Sequence, residues 1–388
     1  MAALAPDHVD RQVAVLRAFA ALTYPFACVP FLYFYLRDFG IGVDAYANLI
    51  AVYYVTMVVA EVPTGLLADR FGRRATLIAG PAVLAAGFVT LRLGGEFATF
   101  ALGEALLGLG HSLLSGPPSA VLFDSLALAG RSERFLRTEA GLHAVRTLAT
   151  GSSFLLGGAV AALSGIAPTI TLTACLCAAA SLIALAVREP PRQRLRTPAL
   201  LSTALRELRQ PDARWIAAYY VVVFCLLRYC FHTYQPYLQE AHLEEPLLVG
   251  LLFFGLNVVA APWSKAAPSL VQRWGERTML WVMPMSMATS LVVMALTVGW
   301  LGIALFFVHQ APFGAHWAVV QAYANRRLTS AARATALSCL SFAGRIAFAV
   351  AFPLLGLLHA RAGLTTTYLA TGAAGALATA WVMRAQPR

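Results

Sequence analysis

Seven charged side chains lie inside apolar stretches of this sequence, where each could do chemistry: Glu61, Glu104, Asp124, Arg146, Arg228, Lys265 and Arg345. Five histidines lie in similar stretches: His111, His143, His232, His309 and His316. A charge at the middle of a bilayer costs about 2.5–3.5 kcal/mol on insertion scales. Side chains of these types are therefore candidates for binding a polar solute or carrying a proton.

The composition places these residues in a membrane protein with many spans. Of 388 residues, 59% are hydrophobic and 12% are charged, whereas soluble domains carry about 25% charged residues. The six cysteines lie in apolar stretches without metal-ligand spacing, so we expect packing residues and no metal site or cofactor. The formal charge of +11 comes mainly from arginines in short connectors, which indicates membrane topology rather than nucleic-acid binding.

Apolar stretches of about 20 residues predict membrane-spanning helices. Twelve are predicted, at residues 13–36, 45–68, 75–93, 97–125, 139–164, 167–187, 214–239, 247–271, 278–297, 300–325, 334–359 and 365–384. Connectors on the side of the N-terminus hold 22 arginines, and the opposite connectors hold only three. The positive-inside rule then predicts that both termini are cytoplasmic. We expect an integral protein of the lipid bilayer, in a bacterial inner (plasma) membrane.

The chain divides into halves that repeat. We predict an N-terminal six-helix bundle over 1–187, a cytoplasmic linker over 188–213 and a C-terminal six-helix bundle over 214–388. The linker contains a short amphipathic stretch from Pro198 to Leu208, which is expected to lie on the membrane surface. The segments 68–77 and 271–280 align, with Gln272 in place of Asp69, and Arg146 aligns with Arg345. Such repeats are typical of transporters that move two halves about a central site.

The segment between predicted spans two and three carries the most specific motif. It reads Gly65-Leu66-Leu67-Ala68-Asp69-Arg70-Phe71-Gly72-Arg73-Arg74. This pattern, G-x-L-A-D-R-x-G-R-R, resembles the loop 2–3 signature of the major facilitator superfamily of secondary transporters. The resemblance implies an all-α fold of two six-helix bundles around a central cavity, lined by spans one, four, seven and ten.

The resemblance also implies a conformational latch at this loop. In the family, an acid at the end of span four completes a charge relay with the loop, and here that acid is Asp124. Asp69, Arg73 and Asp124 would then stabilise the outward-facing state, with Arg70, Gly65 and Gly72 completing the motif. The alternative is that the charges only cap helix ends.

Two acids are candidates for proton coupling. Where the family's span-four motif has an arginine associated with proton transfer, this chain has Glu104. A buried carboxylic acid favours its neutral form, so Glu104 could carry a proton, or it could form a structural ion pair with a base. Glu61 precedes Pro63 in span two and could gate by pairing across the halves, or extend toward the membrane surface.

The predicted substrate-binding residues lie on the cavity-lining spans: Tyr24, Tyr33, His111, Arg228, His232, Gln235, His309, Gln310 and Arg345. The alternative for a membrane histidine is a packing role. Span five carries the Gly157-Gly158 pair of proton-driven drug exporters but lacks their proline. Arg146, two turns upstream, is expected to pair with a carboxylate.

These features predict a secondary transporter and not an enzyme. We expect proton-coupled efflux of a small amphiphilic or aromatic compound by a monomer, because the candidate lining is aromatic and amide-rich. One alternative is proton-coupled uptake of an anionic solute bound by Arg228 and Arg345. Another is a non-transporting receptor or scaffold on the same fold. No Walker phosphate-binding loop is present in the sequence, so ATP-driven pumping is unsupported.

Overall fold

The computed structural model describes residues 6–190, 210–327 and 330–387, and this part of the chain is helical without a strand. The predicted amphipathic stretch from Pro198 to Leu208 lies outside these residues. The helices of the first half are α1 Pro6–Thr23, α2 Leu32–Arg37, α3 Val43–Phe71, α4 Arg73–Leu93, α5 Phe97–Leu113, α6 Pro117–Leu128, α7 Phe135–Ser164 and α8 Ala167–Ala184. Those of the second half are α9 Pro211–Glu240, α10 Pro246–Trp274, α11 Glu276–Leu296, α12 Trp300–Arg327 and α13 Ser330–Arg384.

Twelve membrane crossings follow from these helices. By length and composition, ten helical segments of the described chain could span a membrane, and the last runs from Cys339 to Arg384 over 46 residues. At about 1.5 Å per residue it is roughly 69 Å long, twice the hydrocarbon thickness of about 30 Å. It bends at Gly363, whose φ of 78° is outside the helical range, and so contains two crossings. The remaining predicted crossing, over 13–36, is divided between α1 and α2. The predicted all-α, twelve-span architecture is confirmed.

The described residues form two compact units. The first comprises those within Met1–Gly40, Val52–Arg194 and Glu245–Phe254, and the second those within Ile41–Ala51, Leu195–Glu244 and Gly255–Arg388. The start of α3 therefore belongs to the second unit, where Ala47 packs against Gly356. The start of α10 belongs to the first unit, where Gly250 packs against Gly158. Each unit therefore combines most of one half of the chain with a short helical segment from the other half.

Close packing of α4 on α5 sets the position of the candidate proton carrier. A Cβ on Gly87 would lie 3.1 Å from the carbonyl oxygen of Gly103, and a Cβ on Gly103 would lie 2.6 Å from a Leu91 methyl. The two helices can approach this closely because both positions lack side chains. Glu104, the residue after Gly103, is consequently buried.

Candidate functional site

The first predicted span is interrupted from Tyr24 to Cys28, between α1 and the 3₁₀ turn Val29–Phe31. Neighbouring helices satisfy its backbone: the Thr150 hydroxyl donates to the Tyr24 carbonyl at 3.1 Å, and the Cys28 N–H donates to Thr173 Oγ1 at 3.2 Å. Within a membrane, non-helical backbone is tolerated only where it is buried in protein or lines a cavity. Discontinuous helices of this kind form the binding sites of many transporters.

A glycine on α7 leaves room for the interrupted segment. A Cβ on Gly157 would lie 2.1 Å from the carbonyl oxygen of Ala27, whereas a Cβ on Gly141 of the same helix would have no neighbour within 4 Å. The contact fixes the position of the interruption relative to α7.

Gly157→Ala is expected to lower the free energy of unfolding by about 1–3 kcal/mol, because the added methyl overpacks against backbone that cannot move alone. The measurement is the thermal unfolding midpoint of the purified protein in detergent. Gly141→Ala is the matched control and should leave that midpoint unchanged or raise it, since alanine is the better helix former. Equal midpoints for the two variants would contradict the close approach.

Span four is also interrupted, from Leu114 to Gly116, and α6 starts immediately afterwards with Pro117 at its first position. Pro117 and Pro118 cannot donate the hydrogen bonds that would continue α5. Predicted span four is therefore two helices, α5 and α6, that meet at a break.

Both interruptions line one cavity of about 200 Å³ in the first unit. Tyr24 comes from the first interruption, and Leu114, Ser115 and Gly116 come from the second. The remaining lining includes apolar and polar side chains and consists of Leu16, Phe19, Ala20, Pro118, Ser119, Glu139, Leu142, His143 and Arg146. The cavity thus combines aromatic surface with charges of both signs.

The charged wall of this cavity contains two incompletely paired groups. Glu139 accepts a hydrogen bond from the Ser119 hydroxyl at 2.5 Å through Oε1, while its Oε2 is buried without a partner. The Arg146 guanidinium lies over the Tyr24 ring, 4.9 Å from its centroid, and its Nη2 is 3.3 Å from His143 Nδ1. The expected ion pair of Arg146 with a carboxylate is not found among the described residues, because the guanidinium stacks on an aromatic ring instead.

Glu104 lies on α5 and is only 2% exposed. Its Oε1 is buried without a hydrogen-bond partner, and no ion pair is formed by this carboxyl group within the described part of the chain. Cys28, at the end of the span-one interruption, is close enough to Glu104 to interact with it electrostatically. The structural ion pair that the sequence left open is thus not found among these residues, and the role of Glu104 as a proton carrier stays a prediction.

The loop between α3 and α4 is a single non-helical residue, Gly72, with φ 112°. The next residue, Arg73, forms an ion pair with Asp124 at the end of span four, and each side chain is 29% exposed. Glu189 completes the cluster, because its carboxylate accepts the Arg73 N–H at 3.0 Å and the Arg74 N–H at 2.6 Å. The cluster both caps α4 and ties it to span four.

The other members of the loop motif lie on α3. Asp69 and Arg70 are exposed at the end of this helix, and the Arg70 guanidinium lies over the Phe71 ring at 5.2 Å. A Cβ on Gly65 would meet nothing within 4 Å. The latch roles of Asp69, Arg70 and Gly65 stay predictions.

The second half has a corresponding pair with the charges exchanged. Glu276 follows Gly275, whose φ is 83°, and occupies the position equivalent to Arg73. Its Oε1 lies 2.5 Å from Nη2 of Arg326 near the end of span ten, in an ion pair without hydrogen-bond geometry. Gln272 stands where the first half has Asp69, and Glu276 with Arg326 forms an ion pair that corresponds to Arg73 with Asp124.

The remaining predicted site residues are distributed over both units. In the first, Tyr33 is buried beside Phe34, His111 packs edge-on against Phe26, and Glu61 is half-buried on α3. In the second, His232 Nδ1 lies 3.3 Å from the Tyr46 hydroxyl, and Arg228 stacks on Phe224. Gln235 is 2% exposed, Gln310 is 9% exposed, His309 is fully buried with both ring nitrogens unpartnered, and Arg345 is half-buried on α13. These positions are not shown to form one site.

Sequence reasoning missed two acids of the candidate site: Glu139, which lines the cavity, and Glu189, which joins the cluster at Arg73. Glu139 is the first residue of predicted span five, and a charge at a helix end needs no functional explanation. Glu189 directly follows predicted span six, and an acid beside several arginines is an ordinary feature of a charged linker. The signal available for Glu139 was its spacing from His143 and Arg146, which puts all three on one helix face.

Comparison with known proteins settles the family. A sequence model described as "Major Facilitator Superfamily" matches residues 14–311. The chain belongs to this superfamily. Superfamily membership makes it part of a class of secondary transporters that work by alternating access, and not of an enzyme class.

Individual relatives agree with this superfamily. The "Inner membrane transport protein YajR" of Escherichia coli (strain K12) is 43% identical over 61 residues, which span 16% of this chain and 13% of that protein. The nucleoside transporter NupG superimposes with a TM-score of 0.80 at 11% identity, over 97% of this chain and 98% of that structure. A D-xylose-proton symporter gives a TM-score of 0.75 at 13% identity, over 98% of each chain. At these identities the structures show a shared fold and no shared solute.

Proposed function

We propose that this superfamily member is a proton-coupled secondary transporter that moves a small organic solute by alternating access. The observation that carries the proton coupling is Glu104, a carboxyl group that is 2% exposed and has an unpartnered oxygen. Burial favours the neutral acid and access to water favours the carboxylate. A carboxyl group that is alternately buried and wet therefore takes up and releases a proton in each cycle.

The solute is an amphiphilic or aromatic compound, and the direction is export. Support for the solute class comes from the cavity in the first unit, where Phe19 and Tyr24 lie beside Glu139 and Arg146. The runner-up is uptake of an anionic solute at Arg228 and Arg345, which both lie within electrostatic range of the Tyr220 hydroxyl. The arginine distribution and the name of the YajR relative support an inner membrane with both termini cytoplasmic. The transporting unit is the monomer.

The test is solute uptake by the purified protein in liposomes under an imposed pH gradient. The probes are the fixed-charge aromatic cation ethidium and radiolabelled 4-(aminomethyl)phenylacetic acid. Proton exchange predicts accumulation into vesicles with an acidic lumen, whereas proton symport predicts accumulation from an acidic medium. Labelling a cysteine placed at Glu244, on a connector expected outside, reports the orientation in the vesicles. No gradient-dependent uptake of either probe would contradict the proposal.

A further inference from the structure

One helix face gives the cavity in the first unit charges of both signs. Glu139, His143 and Arg146 are spaced i, i+4 and i+7 on α7 and line the cavity as one stripe. Seven residues of helix place the Cα atoms of Glu139 and Arg146 about 10 Å apart along the axis. No ion pair joins the Glu139 carboxylate to the Arg146 guanidinium within the described part of the chain.

Each end of the stripe lacks a partner that a ligand could supply. Glu139 Oε2 is buried and accepts no hydrogen bond, and a buried acceptor without a donor costs free energy. The Arg146 guanidinium lies over the Tyr24 ring, and it is also approached by His143 and by the Tyr24 hydroxyl, which leaves the rest of its five N–H donors for a ligand. A ligand ammonium would complete Glu139, and a ligand carboxylate would complete Arg146.

The rest of the wall supports an aromatic group between these charges. Phe19, Tyr24 and Leu142 line the same cavity as the two charges and supply its aromatic and aliphatic surface. Ser115 and Gly116, which immediately precede α6, also line it. A volume of about 200 Å³ is below the roughly 300–1,000 Å³ of pockets for drug-sized ligands, so the ligand is small.

We propose that this cavity binds a small aromatic zwitterion, with its ammonium at Glu139 and its carboxylate at Arg146. A ligand with only one charge leaves the opposite residue of the stripe unpaired and binds more weakly. The proposal rests on the transport function above, because it names the solute class of the same cavity. It does not depend on the proton gradient or on Glu104.

The test is calorimetric binding by the full-length protein in detergent at one pH, without a gradient. The probes are 4-(aminomethyl)phenylacetic acid, its primary amide, which is only cationic, and its N-acetyl derivative, which is only anionic. The wild-type protein is expected to bind the zwitterion at least tenfold more tightly than either singly charged probe. Equal affinity for all three, or no binding of the zwitterion, would overturn the proposal.

Two substitutions assign the ends of the ligand. Glu139→Gln should remove the preference for the zwitterion over the N-acetyl probe, and Arg146→Gln should remove the preference over the amide. Arg146→Lys keeps the positive charge and serves as the second variant if Arg146→Gln does not fold. It is expected to retain part of the preference for the zwitterion over the amide. Arg137→Gln is the matched control, because Arg137 is exposed on the same helix and does not line the cavity. Unchanged preferences in both cavity variants would refute the assignment.

The binding and transport experiments fail separately. If the wild-type protein shows no preference for the zwitterion but still takes up ethidium under a gradient, this ligand assignment is wrong and the transport function is retained. A retained preference without gradient-driven uptake of either probe leaves a binding site and removes the proton coupling.

Discussion

Glu104→Gln is expected to abolish proton-driven solute accumulation in liposomes while solute binding and solute–solute exchange stay within about twofold of the wild-type values. Glutamine has the shape of the protonated acid, but it cannot release a proton when the site becomes accessible to water. Because the Glu104 carboxyl group has no basic partner among the described residues, the substitution breaks no ion pair. Folding should therefore be little affected, and the loss is specific to coupling.

Glu96→Gln is the matched control, because Glu96 directly precedes α5 and is exposed. That variant should accumulate solute as the wild-type protein does. Intact gradient-driven accumulation in Glu104→Gln, at normal expression, would remove Glu104 from the mechanism. Glu61, half-buried on α3, would then be the next candidate.

The second large effect is expected at the Arg73–Asp124 pair. Removing one partner of a fully buried ion pair costs about 3–5 kcal/mol. Because each side chain of this pair is 29% exposed and water screens the charges, we expect a smaller cost of about 1–2 kcal/mol. If the pair exists in only one conformation, that cost shifts the conformational equilibrium about tenfold. Arg73→Gln and Asp124→Asn should each slow transport about tenfold while solute binding in detergent persists.

The second half of the chain supplies the rescue experiment. Glu276 and Arg326 form the same connection with the charges exchanged, so the double variant Arg73→Glu with Asp124→Arg should recover most of the lost rate. Asp10→Asn is the control, since Asp10 is 70% exposed in its pair with Arg131 and surface pairs contribute little. Normal transport rates in both single variants would reduce the cluster to a helix cap.

The sequence predicted the spans well and the site incompletely, for a physical reason. Apolar length alone determines which segments cross a bilayer, so the twelve spans follow from local composition. The interruption at Tyr24–Cys28 depends on hydroxyl groups of Thr150 and Thr173, which are remote in the sequence. Local sequence does not show that the neighbours of Pro25 would find hydrogen-bond partners on two other helices.

The same limitation explains the revised role of Arg146. Arg146 was expected to pair with a carboxylate, because an opposite charge is the simplest partner for an arginine within an apolar stretch. The ring of Tyr24 became available only because the first span is interrupted at that residue. The pairing of Arg73 with Asp124, in contrast, came from a motif whose geometry the resemblance already specified.

The single-residue turns have a consequence for biogenesis. Gly72, Gly275 and Gly363 each separate two long helices. Their φ values are 112°, 83° and 78°, which residues with a side chain rarely adopt. A connector of one residue keeps the ends of its two helices adjacent. We therefore expect each pair of helices to enter the bilayer together, as a hairpin. Substitutions at these three glycines will therefore appear as lost yield of inserted protein, before any functional measurement can be made on the mature chain.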